Sequence, residues 1–318
     1  MDLVVTIDTE EDNWNRYSRT DNPVENIKNI KCLQRLFDRF AIKPTYLVTY
    51  PVATNPASVA ILKGIMDEGK CEIGTHCHPW NTPPFEEDIN EHNSMLCNLP
   101  ESLAGRKLAT LHQAIGTAFG ISPVSFRAGR WGFGPSVARC IDKLGYWVDT
   151  SVTAYTDWSI YHGPDFSGRG PEPYRFDPGE ILVPRRSGRL WEIPPTVGFL
   201  QRDFASCHSV SRLFAKGLYG RMRFNGILRR LRLLNKAWLS PELASSREMI
   251  ALAKRIEGIG LPCLNMSFHS SSLMAGIGPF VSTTDDEARF IEKIEKFLGY
   301  TVSAGFRSKP LGQVAEEL

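Results

Sequence analysis

Short apolar runs alternate with amphipathic helical patterns from the first residues of the chain, and this alternation limits the folds that the sequence can adopt. Residues 3–7 are apolar or β-branched without alternation, which is typical of a strand buried on both faces. Similar runs at 44–50 and 71–75 predict two further strands. Between these runs, apolar residues recur at helical spacing over 23–39 and 56–68, which predicts two helices. The β-α-β-α-β order implies parallel strands joined by right-handed crossovers.

The rest of the chain continues this alternation. Strands are predicted at 123–126, 146–148, 190–194 and 263–268, and helices at 101–119, 135–144, 241–257 and 285–298. Pro241 is expected in the first turn of the helix at 241–257, and Thr284 is expected to open a capping box on the last helix. One α/β barrel would use most of the 318 residues, so we predict a single domain over 1–318.

Composition argues against several classes of protein. The net charge of +2 gives no indication of a nucleic-acid partner. No apolar run reaches the roughly 18 residues of a transmembrane helix. The N-terminus enters a predicted strand at once and lacks the features of a signal peptide. The seven cysteines show no CxxC spacing, which is typical of reduced thiols. Together these features predict a cytoplasmic protein.

Two stretches depart from the alternating pattern. Residues 154–190 are rich in Pro, Gly, Tyr and charge, and we expect a long loop excursion that forms a lid or a substrate wall. Residues 211–238 read as an amphipathic helical insertion with leucines at helical spacing. Its arginines are Arg212, Arg221, Arg223, Arg229, Arg230 and Arg232. They are consistent with a solvated helix face or with peripheral contact to a glycolipid or membrane surface.

Ionisable side chains stand at the C-terminal ends of the predicted strands. These residues are Asp8, Glu10, His76, His78, Arg127, Asp149 and His269. In parallel α/β folds the active site gathers at this edge of the sheet. Residues two apart on an extended segment point the same way. Asp8 and Glu10 can therefore share one face, and the imidazoles of His76 and His78 can face one point. Acidic residues after a buried strand need solvent, a metal or a partner.

These residue types suit a metal-assisted amide hydrolysis. Glu10, His76 and His78 are the ligand types of a hydrolytic zinc site, which takes about three protein ligands and keeps one position open. Asp8 is available to accept a proton, and Arg127 could hold it ionised.

A leaving amine also needs a proton donor. His269 fits that role, with Asp149 favouring its charged form and fixing its orientation. Structural roles remain open for three residues: Arg127 as an ion-pair partner, Asp149 as the cap of a turn, and His269 as a partner of its own loop. Trp80 and Trp131 are either core aromatics or sugar-stacking walls, and with Arg130 they are the candidate substrate-binding residues.

The ordered motifs resemble those of the polysaccharide deacetylases with NodB homology, or carbohydrate esterase family 4, and most closely the WalW-like branch. The motifs are Thr6-Ile7-Asp8-Thr9-Glu10-Glu11-Asp12, Glu72-Ile73-Gly74-Thr75-His76, Phe126-Arg127-Ala128-Gly129-Arg130, Asp149 and Ser267-Phe268-His269. The resemblance covers about residues 1–151 and 260–300. It implies a distorted (β/α)7 TIM-like barrel that removes N-acetyl groups from amino sugars with a divalent metal, most often Zn²⁺, with Fe²⁺ or Co²⁺ as alternatives.

The resemblance also implies roles for single residues. Asp8 matches the catalytic base, and Arg127 the arginine that holds it. Glu10 takes the place of the carboxylate ligand, and His76 matches the first histidine ligand. His269 resembles the general acid, and Asp149 the carboxylate that tunes it.

The sequence departs from the family pattern at two positions. The usual first motif has adjacent aspartates, whereas Thr9 stands second here. The usual second histidine follows the first by four residues, and that position is Trp80. Either His78 replaces this second histidine, or the site has only two protein ligands.

We therefore predict a metal-dependent N-deacetylase acting on an N-acetylated sugar of a polysaccharide, lipopolysaccharide or glycan precursor. Two alternatives remain open. One is hydrolysis of a small non-peptide amide or a cyclic ureide on the same fold. The other is a catalytically inactive carbohydrate-binding relative.

Overall fold

The computed structural model describes residues 1–14, 16–201, 203–215, 228, 230–231 and 233–318. Half of the predicted helical insertion at 211–238, with four of its arginines, lies outside the described residues. The strands, in chain order, are β1 (Asp2–Thr9), β2 (Thr45–Val48), β3 (Glu72–Cys77), β4 (Ser125–Ala128), β5 (Val148–Asp149), β6 (Tyr174–Phe176), β7 (Leu190–Glu192), β8 (Val197–Phe199), β9 (Lys236–Trp238), β10 (Cys263–His269) and β11 (Arg307–Ser308).

Parallel pairing dominates the main sheet, whose order is β10-β1-β2-β3-β4-β5-β7-β6, with β11 paired to the start of β1. Only β6 runs antiparallel among the described strands of this sheet. β1 is buried along almost its whole length, as its uninterrupted apolar and β-branched run predicts. The curled parallel sheet with helices around it confirms the predicted distorted (β/α) barrel.

The described helices cover the outside of this sheet. They are α1 (Ile30–Arg39), α2 (Tyr50–Thr54), α3 (Pro56–Asp67), α4 (Glu101–Phe119), α5 (Pro135–Lys143), α6 (Phe204–Ala215), α7 (Ser246–Gly258), α8 (Thr284–Ser303) and α9 (Leu311–Glu317). Pro56 and Pro135 begin their helices, where a missing N–H costs nothing. Gly120 ends α4 in the left-handed conformation that glycine favours. Among the described residues, no helix combines the length and apolarity needed to cross a bilayer.

Several predicted boundaries need correction. The helix placed at 241–257 begins at Ser246, because Ser245 forms a capping box with Glu248, and Pro241 precedes it. The cap of α8 is Thr283, paired with Asp286, and not Thr284. The insertion at 211–238 is not one helix, since Lys236–Trp238 pairs with β8 as a strand.

Side chains and single backbone bonds bridge the open side of the sheet between β10 and β7. The Thr196 N–H donates to the Asn265 carbonyl at 2.9 Å, and the Ser267 N–H to the Leu239 carbonyl at 3.1 Å. Inside the barrel, the Asn265 side chain donates to the Thr150 hydroxyl at 2.9 Å and accepts from the Thr6 hydroxyl at 2.9 Å. A polar seam, formed by Thr6, Thr150, Thr196 and Asn265, therefore lies directly beneath the carboxyl ends of the strands.

The 154–190 excursion contains more structure than a loop. It includes β6 and a short 3₁₀ turn at Ser159–Tyr161. The Lys236 ammonium ties it to β9, donating to the Tyr155 carbonyl at 2.6 Å and to the Thr156 hydroxyl at 2.8 Å. The excursion is thus held over the carboxyl edge of the barrel.

Candidate active site

A cavity of about 490 Å³ opens at the carboxyl ends of the strands. It is lined by nine of the ten side chains that sequence analysis selected, namely Asp8, Glu10, His76, His78, Trp80, Arg127, Arg130, Trp131 and His269. Strand register explains part of this convergence. Asp8 is the direct neighbour of His269 across β1 and β10, and His76 is the neighbour of Arg127 across β3 and β4.

Glu10, His76 and His78 meet on one side of the cavity. Oε2 of Glu10 lies 3.7 Å from Nε2 of His76 and 3.5 Å from Nε2 of His78. The ligand-type atoms of the three residues lie within 4.8 Å of one another, and all three side chains are buried. One carboxylate and two imidazoles are the donor set of catalytic zinc and related divalent metals.

Both histidines are oriented by a bond at the other ring nitrogen. Nδ1 of His76 lies 3.1 Å from the Arg127 carbonyl oxygen, which only accepts. Nδ1 of His78 lies 2.8 Å from Oε1 of Glu11. Each Nδ1–H therefore donates, and each Nε2 is left to bind a metal. The donor set and its supporting bonds fit a divalent metal.

Burial sets the protonation of these groups. It lowers the pKa of His76 to about 3, so this imidazole is neutral near pH 7. Burial raises the pKa of Glu10 to about 8, although His269 and His78 oppose the change. Burial alone would lower the pKa of His78, but Glu11 outweighs it and the pKa is raised. A cation bound by these groups would displace the protons that they carry.

Arg127 binds Asp8 inside the barrel. Its Nη1 lies 2.5 Å from Oδ1 of Asp8, and its side chain is fully buried. The remaining donors reach the Thr6 hydroxyl at 2.7 Å and the Thr150 carbonyl at 3.0 Å, both part of the polar seam. Burial would raise the pKa of Asp8, but Arg127, with His76 and His269, outweighs it and lowers the pKa to about 2. Asp8 is thus an ionised carboxylate with one oxygen held by the guanidinium.

His269 faces the other oxygen of Asp8. Its Nε2 lies 3.7 Å from Oδ2 of Asp8. Its Nδ1 lies 3.0 Å from Oε2 of Glu242, and its backbone N–H donates to Oε1 of the same residue at 2.9 Å. Burial would lower the pKa of His269, but Glu242, Glu10 and Asp8 outweigh it and raise the pKa to about 10. His269 is therefore held as an imidazolium beside Asp8.

The prediction that Asp149 orients His269 is wrong, because Glu242 occupies that place. Asp149 is fully buried and accepts from the Ser151 hydroxyl at 2.7 Å. Its neighbour across β5 and β7 is Glu192, which is also fully buried. Burial raises the pKa of both carboxyls. Asp149 and Glu192 form a carboxyl pair in the barrel interior rather than part of the cavity wall.

Aromatic side chains form the walls of the cavity. Trp80 stacks on the His78 ring, with centroids 4.1 Å apart and planes 24° apart. Trp131 lies beside Arg127, 5.3 Å from guanidinium carbon to ring centroid, and runs nearly parallel to Trp158 at 6.4 Å. Trp14 also lines the cavity and meets His269 edge-on at 4.8 Å. Trp158 also lines the cavity, and it belongs to the 154–190 excursion expected to form a lid or a substrate wall. Trp14, Trp238 and Phe280 line it as well, and no sequence pattern indicated them.

The turn after β4 has an uncommon backbone. Arg130 and Trp131 have φ angles of 52° and 62°, in the left-handed region that non-glycine residues rarely adopt. Arg130 forms an ion pair with Glu91 at 3.3 Å and lies over the Tyr17 ring at 5.6 Å. Strained backbone of this kind gathers at functional sites, where the surrounding structure holds it.

No protein-family profile matches this chain, and no curated protein is similar enough in sequence to match.

Solved structures share its fold. A protein from Mycobacterium smegmatis assigned as a polysaccharide deacetylase superposes with a TM-score of 0.56 at 15% identity, over 99% of this chain and 89% of that one. A protein from Parabacteroides distasonis assigned as a glycoside hydrolase/deacetylase superposes with a TM-score of 0.58 at 11% identity, over 99% of this chain and 70% of that one. A GH57 branching enzyme from Thermococcus kodakaraensis superposes with a TM-score of 0.52 at 11% identity, over 99% of this chain and 71% of that one. These likenesses establish the barrel, and the WalW-like branch stays a prediction.

Proposed function

We propose that this protein is a metal-dependent hydrolase that removes an N-acetyl group from an amino sugar. The observation that carries the proposal is the presence of three units in one cavity. These are the Glu10–His76–His78 cluster, the Asp8–Arg127 pair and the His269–Glu242 pair. The shared fold with proteins assigned as deacetylases supports the same activity.

Glu10, His76 and His78 are the residues that would hold the metal. When bound, a divalent metal polarises the acetyl carbonyl and lowers the pKa of water near it. The chain's own residues then manage the protons. Asp8 accepts a proton from the attacking water, whose oxygen bonds to the acetyl carbon. Arg127 keeps Asp8 ionised and directed at the cavity through the bond between Nη1 and Oδ1.

His269 serves as the acid. Its imidazolium donates a proton to the amide nitrogen as the bond between that nitrogen and the acetyl carbon breaks. Acetate and a free amino sugar are the products. Glu242 keeps the ring charged and turned so that Nε2 faces Asp8.

Aromatic walls favour a sugar over a small amide. Trp131 is suited to contact the apolar face of a pyranose ring, and Arg130 offers donors to its hydroxyls. Trp80 is buried, with one face on the His78 ring and Tyr17 beside it, so it supports the wall and offers no open stacking face. The cavity of about 490 Å³ lies within the range of ordinary ligand sites. We infer an N-acetylated sugar in a polysaccharide, lipopolysaccharide or glycan precursor as the substrate, with Zn²⁺, Fe²⁺ or Co²⁺ at the site. Contact with a glycolipid or membrane remains a prediction.

A substrate panel tests the proposal. The zinc-loaded protein is incubated with N-acetylglucosamine oligomers, N-acetylated monosaccharides, small amides and cyclic ureides, and released acetate and free amine are measured. We expect acetate from the sugars, and a loss of about 10³-fold or more in kcat for Asp8→Asn with metal content unchanged. Turnover of cyclic ureides or small amides alone, or full activity of Asp8→Asn, would overturn the proposal.

A further inference from the structure

His78 lies at a point where the sheet no longer fixes its side chain. β3 ends at Cys77, and Pro79 begins a 3₁₀ turn directly after His78. A ligand at such a position needs support from elsewhere, because metal binding requires ring placement to within about 0.5 Å.

The ring of His78 is nevertheless enclosed. Glu11 accepts a hydrogen bond from Nδ1 of the ring at 2.8 Å. Trp80 stacks on one face of the ring, with the two centroids 4.1 Å apart. Gly129 packs against the ring edge so closely that a Cβ there would overlap Cδ2 of His78, lie 3.2 Å from Nε2, and lie 2.7 Å from the Cys77 carbonyl. With these sides occupied, Nε2 is directed at Oε2 of Glu10, 3.5 Å away.

Glu11 is itself held in place. It is 4% exposed, and its second oxygen accepts from the Thr49 hydroxyl at 3.2 Å. The Thr49 N–H donates to the Thr9 carbonyl at 3.1 Å, which joins the end of β2 to the end of β1. Both carboxylate oxygens of Glu11 therefore have partners within the protein, and the residue supports His78 rather than facing the cluster as a ligand.

We propose that Glu11 is the positioning residue of the metal centre, fixing the His78 ring so that Nε2 joins Glu10 and His76, with Gly129 providing the space for that ring position. This inference rests on the proposed function only in taking those three residues as the metal ligands. A carboxylate that binds the far nitrogen of a ligand histidine raises the ligand's basicity and fixes its tautomer.

Zinc affinity is the direct test. Competition with a chromophoric chelator gives Kd for Zn²⁺, and the visible spectrum of the Co²⁺ form reports the ligand geometry. We expect Glu11→Gln to weaken Zn²⁺ binding about 10- to 100-fold. Glu72→Gln is the matched control, because Glu72 is a carboxylate at the opposite end of β3, bound to Ser125 and Thr45, and its loss should leave Kd unchanged.

A double-mutant cycle separates positioning from general damage. If Glu11 acts through His78, Glu11→Gln should add no further loss of affinity in a His78→Ala background. Equal losses in both backgrounds would overturn the proposal, and so would a Kd for Glu11→Gln within twofold of wild type. Failure of the wild-type protein to bind Zn²⁺ would overturn it as well.

Gly129→Ala approaches the same ring from the other side. We expect a loss of zinc affinity of about tenfold or more, since outer-shell changes of this kind cost 10- to 100-fold. Gly64→Ala, with open space around the added methyl, should have no effect. If Glu11→Gln fails to fold, an unchanged Kd of Gly129→Ala for Zn²⁺ overturns the proposal that Glu11 and Gly129 fix the position of the His78 ring. Glu11-dependent zinc binding without deacetylation would refute the proposed function and leave this inference standing.

Discussion

Replacing Glu242 with glutamine tests whether His269 is the acid of the reaction. The carboxylate of Glu242 lies 3.0 Å from Nδ1 of His269 and also accepts from the Ser272 hydroxyl at 2.5 Å. Glutamine keeps the shape and one acceptor oxygen of this side chain. It removes the negative charge that stabilises the imidazolium.

The structure gives the expected size of the effect. Burial would lower the pKa of His269, yet Glu242 first, then Glu10 and Asp8, raise it from 6.5 to about 10. Unit charges about 3 Å apart interact by about 5 kcal/mol at an effective dielectric constant near 20, which corresponds to roughly 4 pH units. Because three carboxylates share the net effect and desolvation opposes it, we expect Glu242→Gln to lower the pKa of His269 by about 1–3 pH units.

The sign of this change fixes the pH profile. His269 donates only when protonated, so activity is lost as the pH rises through its pKa. Lowering that pKa moves the alkaline limb of the kcat/KM profile to lower pH. The assay is acetate release from an N-acetylated oligosaccharide between pH 5 and pH 10, with Glu72→Gln as the control for loss of a half-buried carboxylate away from the cavity. An alkaline limb that stays in place in a folded Glu242→Gln protein would refute the assignment of His269 as the acid.

Three further predictions concern the metal site, the cavity wall and the fold. Zinc binding should release protons and strengthen as the pH rises toward about 8. The reason is that burial raises the pKa of Glu10 to about 8 and that Glu11 raises the pKa of His78. Calorimetry in buffers of different ionisation enthalpy measures the proton release. Trp158→Ala should raise KM for an N-acetylated oligosaccharide about two- to tenfold with little change in kcat, by loss of one stacking face, and an unchanged KM would remove Trp158 from the substrate site. Lys107→Met should lower the free energy of unfolding by about 3–5 kcal/mol, measured with denaturant. The reason is that the fully buried ammonium binds Glu87 at 2.9 Å and three backbone carbonyls between 2.7 and 2.9 Å. As a control, Lys28→Met at an exposed position should change the free energy of unfolding by less than about 0.5 kcal/mol.

Sequence reasoning located most of the site because a parallel barrel gathers strand ends at one edge. Asp8 and His269 were predicted from separate strands, and they are direct neighbours in the sheet. The same reasoning selected Asp149 wrongly. Asp149 also ends a strand, but its neighbour is Glu192 and both carboxyls are buried in the interior. The position of a residue at a strand end does not say whether its side chain reaches the cavity.

Glu242 and Glu11 show what sequence patterns could not reveal. Glu242 follows neither a predicted strand nor a metal-type spacing, and it lay inside a segment expected to be helical. Its role depends on the actual start of α7 at Ser246, which leaves Glu242 in the preceding loop. Glu11 follows Glu10 directly in the sequence, and no spacing singles it out, yet its side chain is buried against His78. Both depend on tertiary contacts that no local pattern encodes.

The polar seam connects the stability of the barrel to the chemistry of its cavity. The Arg127 guanidinium bonds to Asp8 on the cavity side and to Thr6 and Thr150 on the interior side. Asn265 bonds to the same two hydroxyls, across the gap that no strand ladder closes among the described residues. The same two hydroxyls therefore help to hold β10 against the segment after β7 and anchor the arginine that keeps the base ionised. A barrel closed by side chains has fewer bonds at this seam than one closed by backbone pairing. That weakness is offset because the bonds are buried, where hydrogen bonds are stronger than in water, and because those of Arg127 are charge-assisted.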